Sequence, residues 1–363
     1  MRSTLYYVWF AELSIAHRTK NALLDDAGGI EEVYLLDKER LHTIPYLTSK
    51  DKDALLEKST KKAEAVLELC TKKRVEILTR DSALYPERLL EMPDAPMVLY
   101  CKGALPKLEE TTVITVVGTR KASAYGCKMA KTIASDLAEA GVLVVSGMAE
   151  GIDGAANDGA LRGGTATVAV LASGVDIIYP SFHRKLYERI LADGVLLSEY
   201  PPEVKTSPLQ FPVRNRIMAA LCDGMLVVNA PKKSGALISA RRALEYGKDL
   251  FVVPGNADLF DHVGSNTLIK EGAQCVTSAS DILSYYNLSY DKTTVAVKAK
   301  PKAALQPNLT EEEQSVFTLI EDGMSTDELL ELSPLPTGQT MGILTVLEVK
   351  GVVRVDKRLL YVI

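Results

Sequence analysis

The residues best suited to chemistry follow a run of β-branched residues at 113–117. Gly118, Thr119 and Arg120 come directly after this run, and an Ala-rich helical pattern begins at Gly126. A turn between a buried strand and a helix presents backbone N–H groups beside the positive end of the helix dipole, where an anion binds well. The Arg120 guanidinium can also donate a pair of hydrogen bonds to phosphate oxygens. The pattern therefore predicts a phosphate-binding turn.

A second block, FPVRNR at 211–216, places Phe211 just upstream of Arg214, Asn215 and Arg216. We expect these three polar residues at the mouth of a helix that runs from 215 to 221. Two cations and a stackable ring suit a groove that follows a single nucleic-acid strand, because the cations meet the backbone and a base lies on the ring. A core phenylalanine and a structural salt bridge would give the same pattern, so the block alone leaves both interpretations open.

Further candidates lie where other predicted strands end. Ser146 and Gly147 follow one apolar run, Gly174 follows the next, and Ser234 and Gly235 open a helix after Lys232-Lys233. Ligands of open α/β sheets bind outside the carboxyl ends of the strands. We therefore expect these residues to line one pocket together with the first two blocks.

The sequence offers little for catalysis or metal binding. Its four histidines show no Ser-His-Asp or metal-ligand spacing, and its five cysteines contain no C-x-x-C pair. The glycines at 118 and 126 do not match G-x-G-x-x-G, and no G-x-x-x-x-G-K-[ST] occurs. We predict a binding protein rather than an enzyme, with reduced cysteines and with neither a metal nor a cofactor.

Strand and helix patterns alternate from 113 to 254, which predicts a parallel sheet covered on both faces. The predicted fold class is α/β, an extended Rossmann-like parallel sheet with an all-helical N-terminal domain and a C-terminal winged helix. The N-terminal domain contains, near residues 41–50, a turn similar to a degraded helix-hairpin-helix, so a DNA contact there is a minor alternative to a structural role. The predicted domains are 1–75 (helical, SAM-like or helix-hairpin-helix-like), 76–287 (α/β, with 76–105 as a connector containing two short strands), 288–308 (basic linker) and 309–363 (winged helix).

Charge is distributed unevenly along the 363 residues. The formal net charge is −5, but the segment from Thr310 onward carries ten acidic against four basic residues, or −6, so the rest of the chain is about +1. A nucleic-acid backbone attracts Lys and Arg. We therefore expect the winged helix to contact protein rather than DNA. Apolar runs are far shorter than the ~20 residues that span a bilayer, so we expect a cytoplasmic protein without a membrane partner.

At the level of motifs, the central region resembles the DprA/Smf family of DNA-processing proteins over about 175 residues. The segments that carry the resemblance are VVGTRKASAYG, VVSGMAEGIDGAANDGAL, VLASGVDIIYPSFHRKL, LLSEYPPEVKTSPLQFPVRNRIMAAL, SGALISARRALEYGK and VPGNADLFDHVGSNTLIKEGA. The resemblance implies a protein that binds single-stranded DNA in a basic pocket, forms a homodimer, protects the strand and helps to load the RecA recombinase during natural transformation.

The resemblance also implies roles for individual residues. By position, Gly118, Thr119 and Arg120 cradle phosphate, Ser146 and Gly147 line the pocket, Phe211 stacks on a base, and Arg214 and Arg216 hold the backbone. Two other classes stay open. A phosphoribohydrolase of the lysine-decarboxylase-like superfamily would carry a catalytic Glu in PGG-x-GT-x-x-E, whereas residues 234–242 contain no acid. A protein-interaction adaptor would use the acidic winged helix as its working surface.

Overall fold

The protein is described by a computed structural model that covers residues 2–288, 309–320, 324–350, 352–356 and 359–362. Contacts between residues divide the chain into two compact units, 1–291 and 292–363. Within the first unit, side chains from the N-terminal helices and from the sheet share one hydrophobic cluster. The domain boundary at residue 75 stays a prediction, and the predicted basic linker lies, from residue 289 onward, outside the described residues.

The N-terminal segment is helical, as predicted. Its helices are α1 (Arg2–Glu12), α2 (His17–Ala27), α3 (Ile30–Leu35), α4 (Lys38–Thr43), α5 (Ser49–Leu56) and α6 (Lys61–Lys73). Phe10, Leu23 and Leu55 are fully buried between them. Thr48 caps α5 through a reciprocal capping box with Asp51, which satisfies free N–H groups of the first turn. The turn compared with a helix-hairpin-helix thus joins α4 to α5, and its contact with DNA stays a prediction.

Within residues 2–288 the structure contains one nine-stranded sheet. Its strands are β1 (Glu76–Thr79), β2 (Val98–Gly103), β3 (Val113–Val117), β4 (Leu143–Ser146), β5 (Thr167–Leu171), β6 (Val195–Ser198), β7 (Gly224–Val227), β8 (Asp249–Val252) and β9 (Gln274–Cys275). Their spatial order is β1-β2-β6-β5-β4-β3-β7-β8-β9. Strands β3 to β9 pair in parallel, whereas β1 and β2 add an antiparallel edge. The predicted parallel sheet and the two short connector strands are confirmed.

Helices cover both faces of this sheet. They are α7 (Glu87–Leu90), α8 (Ala124–Glu139), α9 (Ile152–Arg162), α10 (Arg184–Asp193), α11 (Gln210–Leu221), α12 (Gly235–Glu245), α13 (Val263–Lys270) and α14 (Ala279–Tyr285). Ile217 of α11 and Ala240 of α12 pack on one face, and Ile133 of α8 and Ala156 of α9 pack on the other. Double coverage explains why the strands are continuous apolar runs rather than alternating ones.

The order of the strands reverses beside β3. Strand β4 follows β3 in sequence and lies on one side of it, while β7, reached after α11, lies on the other side. Loops that leave β3 and β7 diverge to opposite faces at such a switch point and open a crevice between them. The turn that follows Val117 lies at this crevice, which agrees with the predicted ligand-binding edge.

Helix α11 begins earlier than predicted. The sequence interpretation started the helix at Asn215, but the structure starts it at Gln210, so Phe211 and Pro212 lie in its first turn. Proline is compatible with this position because the first N–H groups of a helix have no partner within the helix. The earlier start attaches the Phe211 ring to a helix rather than to a loop.

The C-terminal unit has the predicted winged-helix elements. These are α15 (Glu311–Leu319), β10 (Met324–Ser325), α16 (Thr326–Leu332), α17 (Thr337–Val349), β11 (Val353–Asp356) and β12 (Leu359–Val362). Val316, Leu329 and Leu347 are fully buried in a core of its own. Ser325 caps α16, accepting a hydrogen bond from the Glu328 N–H at 3.2 Å. None of the helices in the described part of the chain is both long and apolar enough to cross a lipid bilayer.

Candidate functional site

A cavity of about 330 Å³ opens at the carboxyl ends of β3 and β7. Its lining comes from the turn after β3, the start of α9, the first half of α11 and the segment that leads into α12. The lining residues are Val117, Gly118, Thr119, Arg120, Lys121, Ala149, Asp153, Phe211, Pro212, Arg214, Asn215, Met218, Pro231, Lys233, Ser234, Gly235, Ala236, Ile238 and Ser239. The structure therefore brings together the GTR turn, the part of the FPVRNR block that comprises Phe211, Pro212, Arg214 and Asn215, and the start of α12.

The turn after β3 is held on two sides. The Thr119 N–H donates to the Asn229 carbonyl oxygen at 2.7 Å, and the Ile152 N–H donates to the Thr119 carbonyl oxygen at 3.3 Å. Ser123 then caps α8 by accepting a hydrogen bond from the Gly126 N–H at 3.1 Å. Because the backbone of the turn is fixed, Arg120 projects from a rigid base.

Arg120 is exposed and lies over the ring of Phe211, with its Cζ atom 3.9 Å from the ring centroid. None of the carboxylates that the structure describes forms an ion pair with Arg120. Among the described residues the Arg120 guanidinium donates no hydrogen bond, so its N–H groups are free to donate to a ligand. Phe211 thus positions the Arg120 guanidinium without occupying its hydrogen-bond donors.

Two lysines complete the cationic lining. Lys121 and Lys233 line the cavity and are exposed, and neither has an ion-pair partner among residues 2–288. The N-terminus of α12 lies at the same cavity, where the Ser234 hydroxyl accepts from the Ala236 N–H at 3.2 Å. The residues predicted from the sequence to line the pocket do not include Lys121 or Lys233, although each is adjacent in sequence to a predicted site residue, Arg120 or Ser234.

Arg214 is buried behind the cavity, with 4% of its side chain exposed. Its Nη1 donates to the carbonyl oxygens of Gly147 at 2.8 Å and Val170 at 2.6 Å, and its Nε donates to Asn215 Oδ1 at 3.0 Å. Gly147 permits this approach, because a Cβ there would lie 1.8 Å from Nη1. Arg214 lies in the pocket lining, as expected, whereas Gly147 lies outside the lining and accepts the Arg214 hydrogen bond behind it, which corrects the expected position of Gly147.

An acidic side chain shares this wall. Asp153 Oδ2 lies 3.5 Å from Arg214 Nη2, and both groups are buried. Burial raises the pKa of the Asp153 carboxyl, while the charges of Arg214 and Arg120 act against that shift. Burial likewise lowers the pKa of Arg214. The positive charge of Arg214 is thus compensated by Asp153. The net positive charge of the pocket comes from Arg120, Lys121 and Lys233.

Arg216 lies outside the cavity lining. Its guanidinium donates to Glu199 and to the backbone carbonyl of Asp94, and its Nε lies 4.0 Å from Asp94 Oδ2. With 5% of its side chain exposed, it is an internal cation. The structure therefore corrects the expected position of Arg216. Helical geometry explains the difference, because neighbours two positions apart point in different directions.

Ser146 and Gly174 also lie outside the lining. The Ser146 hydroxyl donates to the Val116 carbonyl oxygen at 2.7 Å, and the Gly174 N–H donates to the Val204 carbonyl oxygen at 2.8 Å. Both residues are buried at strand ends. The Ser146 bond joins β4 to β3, and the Gly174 bond joins the loop after β5 to the loop after β6. Neither residue lines the pocket, which corrects their expected positions.

Fold and site together define a class: a Rossmann-like α/β protein whose sheet edge carries a cationic pocket with an aromatic wall. Residues 76–287 match the model of the DNA recombination-mediator protein A family, and residues 300–356 match the DprA winged helix domain. The chain belongs to the DNA recombination-mediator protein A family.

Known relatives support this membership. Protein Smf of Synechocystis is 41% identical over 220 residues, which span 60% of this chain and 55% of that protein. The crystal structure of DNA processing protein A from Streptococcus pneumoniae aligns with a TM-score of 0.68 at 30% identity, covering 80% of this chain and 99% of that one. DNA processing protein A from Helicobacter pylori, which binds single-stranded DNA, aligns with a TM-score of 0.54 at 32% identity over 60% and 98% of the two chains. The aligned region thus spans about half of the Synechocystis protein.

Proposed function

We propose that this protein binds single-stranded DNA in the cavity beside β3, protects the strand, and presents it to the RecA recombinase during DNA uptake and recombination. The observation that carries the proposal is the exposed Arg120 guanidinium, whose Cζ atom lies 3.9 Å from the Phe211 ring centroid and which has no ion pair among the described residues. The Arg120 guanidinium offers hydrogen-bond donors to a phosphate, and the neighbouring Phe211 ring offers a surface on which a base can stack.

The composition of the pocket favours a single strand over a duplex. Lys121, Lys233 and the N-terminus of α12 line the same cavity as Arg120, so several donors for phosphate oxygens are present in one cavity. Phe211 lies in the same lining and offers a surface for stacking. In a duplex the faces of the bases are stacked on each other, whereas an unpaired base can be turned toward a protein ring.

Family membership supports the finer parts of the proposal. The chain belongs to the DNA recombination-mediator protein A family, and its Helicobacter pylori relative binds single-stranded DNA. Presentation of the strand to RecA and self-association into a homodimer follow the resemblance in motifs. The proposed function contains no chemical step, and Asp153, the acid in the pocket lining, is paired with Arg214.

The test uses the full chain and fluorescence anisotropy. A labelled oligothymidylate of about 20 nucleotides is compared with a duplex of equal length, and incubations with nucleoside monophosphates are checked for free base. We expect the single strand to bind at least tenfold more tightly and no base to be released. Equal affinity for the duplex, or no binding of either, would contradict the proposal, and base release would favour the phosphoribohydrolase.

A further inference from the structure

Tyr179 is an exposed aromatic residue beside the pocket that the proposed function does not use. Its ring centroid lies 5.9 Å from that of Phe211, with an angle of 52° between the ring planes. The side chain is 43% exposed. Tyr179 is not part of the cavity lining, and among the described residues its hydroxyl has no hydrogen-bond partner. Phe211 and Tyr179 thus form a pair of neighbouring rings that leads out of the pocket.

Phe211 offers only part of its surface to a ligand. Arg120 lies over the ring at 3.9 Å from the centroid, and the Arg214 Cζ atom is 5.9 Å away. A guanidinium at stacking distance covers the face on which it lies. Tyr179 has no cation over its ring among residues 2–288. The more accessible aromatic surface at this end of the pocket therefore belongs to Tyr179.

The segment that carries Tyr179 is fixed by the surrounding fold. The Ser198 hydroxyl donates to the Ser173 carbonyl oxygen at 2.7 Å, and the Tyr187 hydroxyl donates to the Val175 carbonyl oxygen at 2.8 Å. Asp176 in the same segment pairs with Lys73 of α6. A ring held on an ordered segment loses little conformational freedom when a base stacks on it, which favours binding.

We propose that Tyr179 is a second base-stacking platform, on which the nucleotide next to the one at Phe211 and Arg120 lies. The inference rests on the proposed function. It adds Tyr179 to the residues that bind the strand, and it gives the path of the strand, which leaves the pocket from Phe211 toward the segment after β5. Successive bases of a bound single strand stack on successive aromatic side chains in grooves of this kind, with little dependence on base identity. Tyr179 therefore contributes to affinity without selecting a sequence.

Phe182 provides a matched control on the same segment. Its side chain is 65% exposed, more than that of Tyr179, but its ring contacts His183, at 4.7 Å between centroids. A general effect of removing an exposed aromatic residue from this segment would affect both positions alike. Stacking next to Phe211 involves Tyr179 alone.

The experiment measures the affinity of the full chain for two strands of ten nucleotides, oligothymidylate and an abasic strand with the same phosphates. We expect Tyr179→Ala to weaken oligothymidylate binding about tenfold, the equivalent of about 1.4 kcal/mol, and to leave abasic binding unchanged. Tyr179→Phe keeps the ring and retains the affinity. Phe182→Ala binds both strands as the unmodified protein does. Circular dichroism and the midpoint of thermal unfolding establish that each variant is folded.

The outcomes separate this inference from the proposed function. Arg120→Ala should weaken binding of both strands, because it removes a phosphate contact. If it does so while Tyr179→Ala binds normally, the second platform is overturned and the pocket stands. Equal losses in Tyr179→Ala and Phe182→Ala would also overturn the platform. If the unmodified protein binds neither strand, the proposed function itself fails.

Discussion

Burial separates the cations around the pocket into two groups. Arg120, Lys121 and Lys233 are exposed, whereas Arg214 is 4% exposed and donates to two internal carbonyl oxygens. A buried guanidinium that is already satisfied gains little from a phosphate, since exchange would leave internal acceptors unpaired. The electrostatic attraction of the site therefore comes from the first group, and Arg214 keeps the wall in place.

A different buried cation lies among the N-terminal helices. Lys20 is 2% exposed, its Nζ donates to the Ala11 carbonyl oxygen at 2.6 Å, and it lies 5.9 Å from the Phe10 ring centroid. Burial lowers the pKa of Lys20 from 10.5 to about 8, with Glu199 and Glu12 acting in the opposite direction. The folded protein therefore releases this proton at a lower pH than the unfolded chain does.

This shift predicts a pH dependence of stability. Between pH 8 and 10.5 the unfolded chain keeps the Lys20 proton and the folded protein has lost it, so this group makes the free energy of unfolding rise with pH, by up to about 1.4 kcal/mol per pH unit. Below pH 8 both states are protonated and the contribution is flat. Lys20→Met should remove this contribution and leave that of Lys58, since burial also lowers the pKa of Lys58 to about 8. Urea unfolding of both proteins at pH 7, 8 and 9 measures the difference.

The control is Lys38→Met, which changes an exposed lysine of α4. Its free energy of unfolding should parallel that of the unmodified protein over the same pH range. Parallel curves for Lys20→Met as well would show that Lys20 does not titrate in this way.

At the scale of elements, Gly151 couples the start of α9 to the turn after β3. Its φ is +81°, and a Cβ there would lie 2.4 Å from the Thr119 carbonyl oxygen and 2.6 Å from that of Arg120. Both the backbone conformation and the space favour glycine. The loop before α9 thus fixes the distance between the wall that contains Asp153 and the turn that carries Arg120.

Gly151→Ala should therefore destabilise the protein by roughly 1–3 kcal/mol and displace the turn, because backbone oxygens cannot move aside as a flexible side chain can. Gly141→Ala is a matched control, since Gly141 has φ +83° with no atom within 4 Å of a Cβ. Both variants bear the strain of a positive φ, and at Gly151 the ψ of −126° adds to it, so the difference between their unfolding free energies measures the close approach together with this additional strain. Equal values would show that the turn is not held through Gly151.

The helices and strands could be predicted from the sequence more completely than the contacts between their side chains. Alternating apolar and amphipathic runs indicated the parallel sheet, and the carboxyl-edge rule placed Arg120 and Phe211 at one pocket. The burial of Arg214 and Arg216 was not visible in the sequence, because it depends on carbonyls and carboxylates far away along the chain, such as Val170 and Glu199. Residue type indicates possible chemistry, and tertiary packing decides which side chains are available for it.

At the scale of the whole molecule, the net charge of the chain does not favour DNA binding, and the charge of the pocket does. The net charge of −5 is the sum of −6 from the segment after residue 309 and about +1 from the rest of the chain. Long-range attraction of DNA by the protein as a whole is therefore weak, and binding depends on the exposed cations of the pocket. Three such cations, each neutralising one phosphate of a single strand, predict a slope of about −2 for the logarithm of the binding constant against that of salt concentration.

The measurement that tests the central claim most directly is this slope for the full chain and two variants. Single-stranded oligothymidylate is titrated at several salt concentrations with the unmodified protein, Arg120→Ala and Arg241→Ala, the last removing an exposed cation of α12 outside the pocket lining. We predict a slope of about −2, reduced in magnitude by about 0.7 in Arg120→Ala and unchanged in Arg241→Ala. An unchanged slope and affinity in a stably folded Arg120→Ala would contradict the account.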